Sequence, residues 1–159
     1  MSSRRSFARA GIVALLAVAA DQIVKGIVRG SIERGESIDL AAGVALVHIG
    51  NDGIAFGLLE GVSTALLVAI GIAFTAGLAA FLATSHDRPL LWLPAGLLAG
   101  GAIGNLIDRI RIGEVTDFID PPSWPAFNVA DIEITIGVIL LVLLYMREPD
   151  PEPEREPAA

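Results

Sequence analysis

The chain has 159 residues, 53% hydrophobic and 18% charged, with a mean hydropathy of +0.66. That balance excludes an ordinary soluble domain and reads as an integral membrane protein. Cysteine is absent, which removes disulfides, thiol nucleophiles and thiolate metal sites, and His48 and His86 alone make no histidine-rich metal centre. Much of the net charge of -7 comes from Glu148, Asp150, Glu152, Glu154 and Glu156 in the tail, and no basic stripe suits nucleic acid.

After Arg4 and Arg5, an apolar segment runs from about residue 7 to 28, interrupted by Arg9, Asp21 and Lys25. Ala17-Val18-Ala19 imitates a signal-peptide cleavage site. The later spans need no such signal, and the segment is long enough to cross a bilayer, which takes about 20 residues. Residues 29–60 are more polar. They contain the β-branched run Val44-Ala45-Leu46-Val47-His48-Ile49 between Gly43 and Gly50, which predicts a strand in a small β-rich cap at the membrane surface.

Residues 61–84 carry no charge and form the second expected span. Ser85-His86-Asp87-Arg88 is a short connection, and Pro89 suits the first turn of a third helix over about 89–107. Within it, Gly96, Gly100 and Gly104 are spaced four apart, which lets a neighbouring helix approach closely. Residues 108–126 read as a polar loop, with Pro121, Pro122, Ser123 and Pro125 as turn residues and Trp124 as an interfacial aromatic. A fourth span covers about 127–146. The acidic, proline-rich residues 147–159 read as a disordered tail behind a single domain of residues 1–146.

Four spans place both termini on one side of the membrane. If that side is cytoplasmic, Arg4, Arg5, Arg9, Arg88, Arg147 and Arg155 lie inside, against Arg29, Arg34, Arg109 and Arg111 outside, as the positive-inside rule favours. The cap and the 108–126 loop then meet at the outer face, beside Asp21, Lys25, Asn105, Asp108, Asp117 and Asp131.

Asp21 and Lys25 share a helix face and suit an ion pair whose ends snorkel to the interface. Adjacent on a helix, Asp108 and Arg109 face differently and need separate partners. Asp117 and Asp131 lie among apolar neighbours, in Val115-Thr116-Asp117-Phe118-Ile119 and Phe127-Asn128-Val129-Ala130-Asp131-Ile132. Lys25 and Arg109 are too few to neutralise Asp21, Asp108, Asp117, Asp120 and Asp131 together. Two carboxyl groups held close in a low-dielectric site share one proton and can act as base and acid around one water. On chemistry alone, a catalytic dyad and the proton or ion pathway of a transporter both stay open.

Five blocks then stand in order: Asp21-Gln22-Ile23-Val24-Lys25, Asn51-Asp52-Gly53-Ile54-Ala55-Phe56, residues Gly100 to Arg109, Val115-Thr116-Asp117-Phe118, and Phe127-Asn128-Val129-Ala130-Asp131. Together they resemble lipoprotein signal peptidase, the type II signal peptidase of bacteria. The resemblance implies four transmembrane helices with a small extracytoplasmic β-sheet cap and a short surface helix. It implies a monomeric aspartic endopeptidase of the bacterial plasma (inner) membrane, with no cofactor. Such an enzyme cuts diacylglyceryl-modified prolipoproteins on the N-terminal side of the lipidated cysteine, in contact with membrane lipids and with no nucleic acid. By the same resemblance, Asp117 and Asp131 are the catalytic pair. Asn51, Asn105, Arg109 and Asn128 contact substrate or support the dyad; Asp21, Lys25, Asp108, Gly101 and Ala130 form the surrounding support. Arg109 is expected either to orient a carbonyl or to hold Asp108. Asp52 departs from the blocks by placing a charge where the family more often has a neutral residue. The chain has neither the length nor the Gly-x-Gly-Asp pattern of presenilin-type proteases.

Overall fold

Four long helices and a three-stranded sheet make up the computed structural model, which describes residues 3–53, 62–85 and 90–146. The Ile54-Ala55-Phe56 block, the 86–89 connection with Pro89, and the 147–159 tail lie outside the described residues. In chain order the elements are α1 (Ser3–Ser31), β1 (Ser37–Asp39), β2 (Ala45–Asn51), α2 (Thr64–Thr84), α3 (Trp92–Ile112), β3 (Val115–Asp120) and α4 (Val129–Met146). Among the described residues no element corresponds to the short surface helix implied by the resemblance.

Helices α1, α2 and α4 are long and apolar enough to cross a membrane. Their outward side chains, such as Leu15, Leu16, Ile72 and Leu143, stay more than half exposed, as lipid-facing side chains are. Helix α3 matches α2 at 21 residues but carries Asp108, Arg109 and Arg111. It tolerates them because it is the central helix, packed against the other three and buried at Pro94, Gly96, Leu98 and Gly100.

Glycines make that central position possible. A Cβ at Gly96 would sit 2.6 Å from that of Val13; one at Gly100 would collide with Ala17. One at Gly104 would lie 2.6 Å from the Asp21 carboxylate. The expected four-residue ridge is therefore the seam with α1, while Gly101 meets the Ala130 carbonyl across the seam with α4. Helices in lipid gain little from hydrophobic association, so this close packing holds them together.

The segment expected as a polar loop over 108–126 differs from that reading. Helix α3 continues to Ile112, and Gly113, at φ +86°, caps it in the left-handed region that favours glycine. The chain then enters β3, which completes an antiparallel sheet in the order β1-β2-β3. The reason is burial: Val115, Thr116, Asp117 and Phe118 are all covered, so both faces of the strand are enclosed and the period-two signal is absent. Beneath the sheet, Phe118 packs with Val28 and Ile32 of α1 and its C-terminal turn, joining the cap to the bundle.

One irregularity in the sheet aims the site. Pairing runs Leu46 to Ile119 and then Ile49 to Asp117, three residues along β2 against two along β3. The extra residue shifts the alternation of β2. Past it, Ile49 lies opposite Asp117 and Asn51 opposite Val115, so Asn51 and Asp117 share one face.

Candidate active site

Asp117 and Asp131 reach one place from different elements, β3 and the first turn of α4. Asn128 joins them. Its amide Nδ2 donates to Asp117 Oδ1 at 2.6 Å, and its backbone N–H donates to Asp131 Oδ2 at 3.1 Å. The Asp131 N–H returns a bond to Asn128 Oδ1 at 3.1 Å, a reciprocal capping arrangement that starts α4 and fixes both side chains. The remaining oxygens are also held: Asn51 Nδ2 donates to Asp117 Oδ2 at 2.8 Å, and Asn105 Nδ2 to Asp131 Oδ1 at 3.0 Å. Each of the four carboxylate oxygens therefore accepts from a neutral amide.

Behind this pair lies a second, charged layer. Lys25, completely buried, is 3.0 Å from Asp21 and 3.1 Å from Asp108, and donates to Asn105 Oδ1 at 2.8 Å. The expected snorkelling does not occur, because three acceptors in the bundle satisfy the ammonium where it is. Arg29 adds a second cation, 3.2 Å from Asp108, and donates to the Thr116 hydroxyl at 2.9 Å. Asp108 also accepts the Thr116 N–H at 3.2 Å, so the charged layer grips β3 one residue before Asp117. Asp21 accepts the Ala130 N–H at 3.1 Å, gripping α4 one residue before Asp131.

Asp117 stands outside the spans and has its carboxyl pushed up to about 6. Burial is the largest cause. The amides of Asn51 and Asn128 pull it down, and the charge of Asp131 pushes it up further.

Both aspartates line a cavity of about 900 Å³, within the range of small-molecule sites. One wall is polar, with Asn51, Asn105 and Arg109; the other is apolar, with Leu67, Ile70 and Phe74 of α2 and Ile132 and Ile136 of α4. Arg109 donates to the Gly53 carbonyl at 2.6 Å, so it ties the end of the cap to α3 and leaves Asp108 to other partners. Its buried Nε has no hydrogen-bond partner among the described residues. Gly101 and Ala130 face each other in the α3–α4 seam, not the cavity. Arg29, Gln22 and Thr116 were not singled out by sequence reasoning. Arg29 continues the Asp21, Lys25 stripe at the next four-residue step, a signal that was legible. Gln22, donating to Asp108 at 3.2 Å, and Thr116, whose hydroxyl accepts from Arg29 at 2.9 Å, bond across 86 and 87 residues, separations that give no such signal.

Chemically, the arrangement offers two carboxyl groups, four neutral donors and one partly unsatisfied guanidinium at the edge of an apolar recess. Comparison with known proteins agrees with a membrane enzyme. The model of the family described as signal peptidase (SPase) II matches residues 13–147. The lipoprotein signal peptidase of Moorella thermoacetica is 44% identical over 136 residues, covering 82% of this chain and 87% of that protein. That of Halothermothrix orenii is 39% identical over 133 residues, covering 83% and 91%. A solved bacterial membrane enzyme superposes with a TM-score of 0.82 at 30% identity, covering 94% of each chain.

Proposed function

The chain belongs to the signal peptidase II family and is a membrane protease, and from that premise we propose that Asp117 and Asp131 form its catalytic dyad. Its substrates are diacylglyceryl-modified prolipoproteins, cut on the N-terminal side of the lipidated cysteine. The observation that carries this reading is the Asn128 bridge, which holds two carboxylates of distant origin at one cavity that is polar on one side and apolar on the other.

The steps follow from that geometry. The acyl chains of the modified cysteine lie against Ile70, Phe74 and Ile136, continuous with the surrounding lipid. The peptide crosses the dyad in extended form. One carboxylate takes a proton from a water as it attacks the scissile carbonyl, and the protonated partner donates to the developing oxyanion. Arg109 Nε supplies a further donor to a substrate carbonyl. With the Asp117 carboxyl near 6, the pair enters the one-proton state close to neutral pH. The sheet end of the bundle faces the outside of the cell and both termini face the cytoplasm, as the positions of Arg4, Arg5 and Arg9 favour.

The test is cleavage of a synthetic prolipoprotein by the purified protein in detergent, with and without the diacylglyceryl group. The expected result is cleavage of the modified substrate alone, lost in Asp117→Asn. Cleavage that ignores lipidation would overturn the substrate assignment, and full activity in Asp117→Asn would overturn the dyad.

A further inference from the structure

Asp52 has no part in the chemistry above, and its position is unusually well fixed. Asn51, before it, is held from two sides: its amide Nδ2 donates to Asp117, and its Oδ1 accepts the Gly53 N–H at 2.9 Å. Gly53, after it, has its carbonyl held by Arg109. Asp52 is thus the tip of a turn pinned on both flanks to residues of the site.

Among the described residues, four charged ones line the cavity: Asp52, Arg109, Asp117 and Asp131. Asp117 is buried, while Arg109 and Asp131 are partly covered and engaged by amide or carbonyl partners. Asp52 alone of the four is exposed. It therefore presents a fixed negative charge at the rim, on the side where the cap meets water.

Resting on the peptidase reading, the direction of the substrate follows. Residues before the cut belong to a hydrophobic segment that enters the bilayer, so residues after the modified cysteine emerge past the cap. We propose that Asp52 is a specificity-determining residue that selects by charge among the first residues following that cysteine, favouring lysine or arginine and disfavouring aspartate or glutamate. The discrimination is moderate because the charge is solvated. Reversing the substrate charge within about 6 to 8 Å of it in a watery rim is expected to change kcat/KM on the order of fivefold.

Three diacylglyceryl peptides that differ only in Lys, Gln or Glu directly after the modified cysteine test this. The unsubstituted enzyme is expected to cut the Lys peptide on the order of fivefold better than the Glu peptide. The ratio approaches one in Asp52→Asn and reverses in Asp52→Lys. In the unsubstituted enzyme alone it shrinks as salt rises from about 0.05 to about 0.5 M, since the Debye length falls below the separation. A Lys to Glu ratio near one in the unsubstituted enzyme, or one that is unchanged in Asp52→Asn or insensitive to salt, overturns the inference while the Gln peptide is still cut. Failure to cut the Gln peptide overturns the peptidase reading, and this inference with it.

Discussion

Replacing Lys25 by methionine keeps an unbranched stem in the same space and removes only the ammonium. The ammonium is completely buried and shared by Asp21 at 3.0 Å, Asp108 at 3.1 Å and Asn105 at 2.8 Å. Among the described residues, its loss leaves Asp21 with amide donors alone and Asp108 with only Arg29 as a cation. Breaking one side of a buried ion pair costs about 3 to 5 kcal/mol, because the abandoned charge stays in low dielectric. For a domain of this size that lowers the melting temperature on the order of 10 °C. Thermal unfolding of the purified variant in detergent measures it. A second substitution, Asp21→Asn, removes one stranded charge while the side chain can still accept the Ala130 N–H. The double variant Lys25→Met/Asp21→Asn is therefore expected to recover a substantial part of the loss, a coupling that independent sites do not show. Activity falls but persists, since Lys25 makes no direct contact with Asp131 and reaches it by hydrogen bond through Asn105. A melting temperature equal to the unsubstituted protein's, or purely additive losses in the double variant, would refute the reasoning. Complete inactivity at unchanged stability would instead give Lys25 a direct part in the chemistry.

Asp117→Asn and Asp131→Asn are expected to insert and fold yet lose cleavage by at least about 10³-fold, measured as kcat on a lipidated substrate; near-normal turnover in either sinks the dyad. With Asp117 raised to about 6 and the proposed pair active with one proton between its carboxyls, kcat/KM is expected to decline as pH rises through about 6 and the shared proton is lost, and to fall again at lower pH once both carboxyls are protonated. The Asn51 amide favours the ionised carboxyl, so Asn51→Ala moves the decline to higher pH; a shift to lower pH contradicts the assignment. A raised carboxyl also contributes stability that is present below its ordinary value of 3.8 and lost as pH rises through about 6, so this group makes the fold weaker at pH 8 than at pH 5. Gly101→Ala places a Cβ against the Ala130 carbonyl and the Ile134 side chain, which is expected to cost about 1 to 3 kcal/mol in thermal unfolding and to lower activity by moving α4 against Asn105.

Much of the bundle was legible because each feature depends on local composition. A charge-free run such as residues 61–84 has no other use for its apolar side chains than lipid or a core, and four-residue glycine spacing announces a close helix contact. The partner was not legible: that the ridge meets Ala10, Val13 and Ala17 of α1 while Gly101 meets α4 is a matter of packing. Strand β3 was hidden for a different reason. Its hydrogen-bonding partner β2 lies more than sixty residues earlier, and its two buried faces erase the alternation that marks a half-exposed strand. The candidate site divides in the same way. Two aspartates among apolar neighbours declare themselves as expensive groups, but the bonds from Arg29 to Asp108 and Thr116 span 79 and 87 residues, and nothing local predicts them.

The separation of charge from the proposed dyad is the structure's main chemical device. Among the described residues no cation forms a salt bridge with Asp117 or Asp131; Lys25 and Arg29 are taken up by Asp21 and Asp108. A direct Lys or Arg partner would hold a carboxylate in its ionised form and prevent the proton sharing that activates water. Amides hold position while favouring ionisation less strongly, so they orient the pair and leave it free to exchange a proton. Asn105 makes the arrangement explicit, accepting from Lys25 with its oxygen and donating to Asp131 with its nitrogen. The same cations that are kept off the dyad anchor it, since Asp21 and Asp108 hold the backbone N–H groups of Ala130 and Thr116, each next to a candidate catalytic aspartate. Rigidity therefore comes from the buried ion network and, on the proposed mechanism, reactivity from the neutral layer above it, and a substitution in one layer is expected to separate stability from activity in a way that a substitution in the other does not.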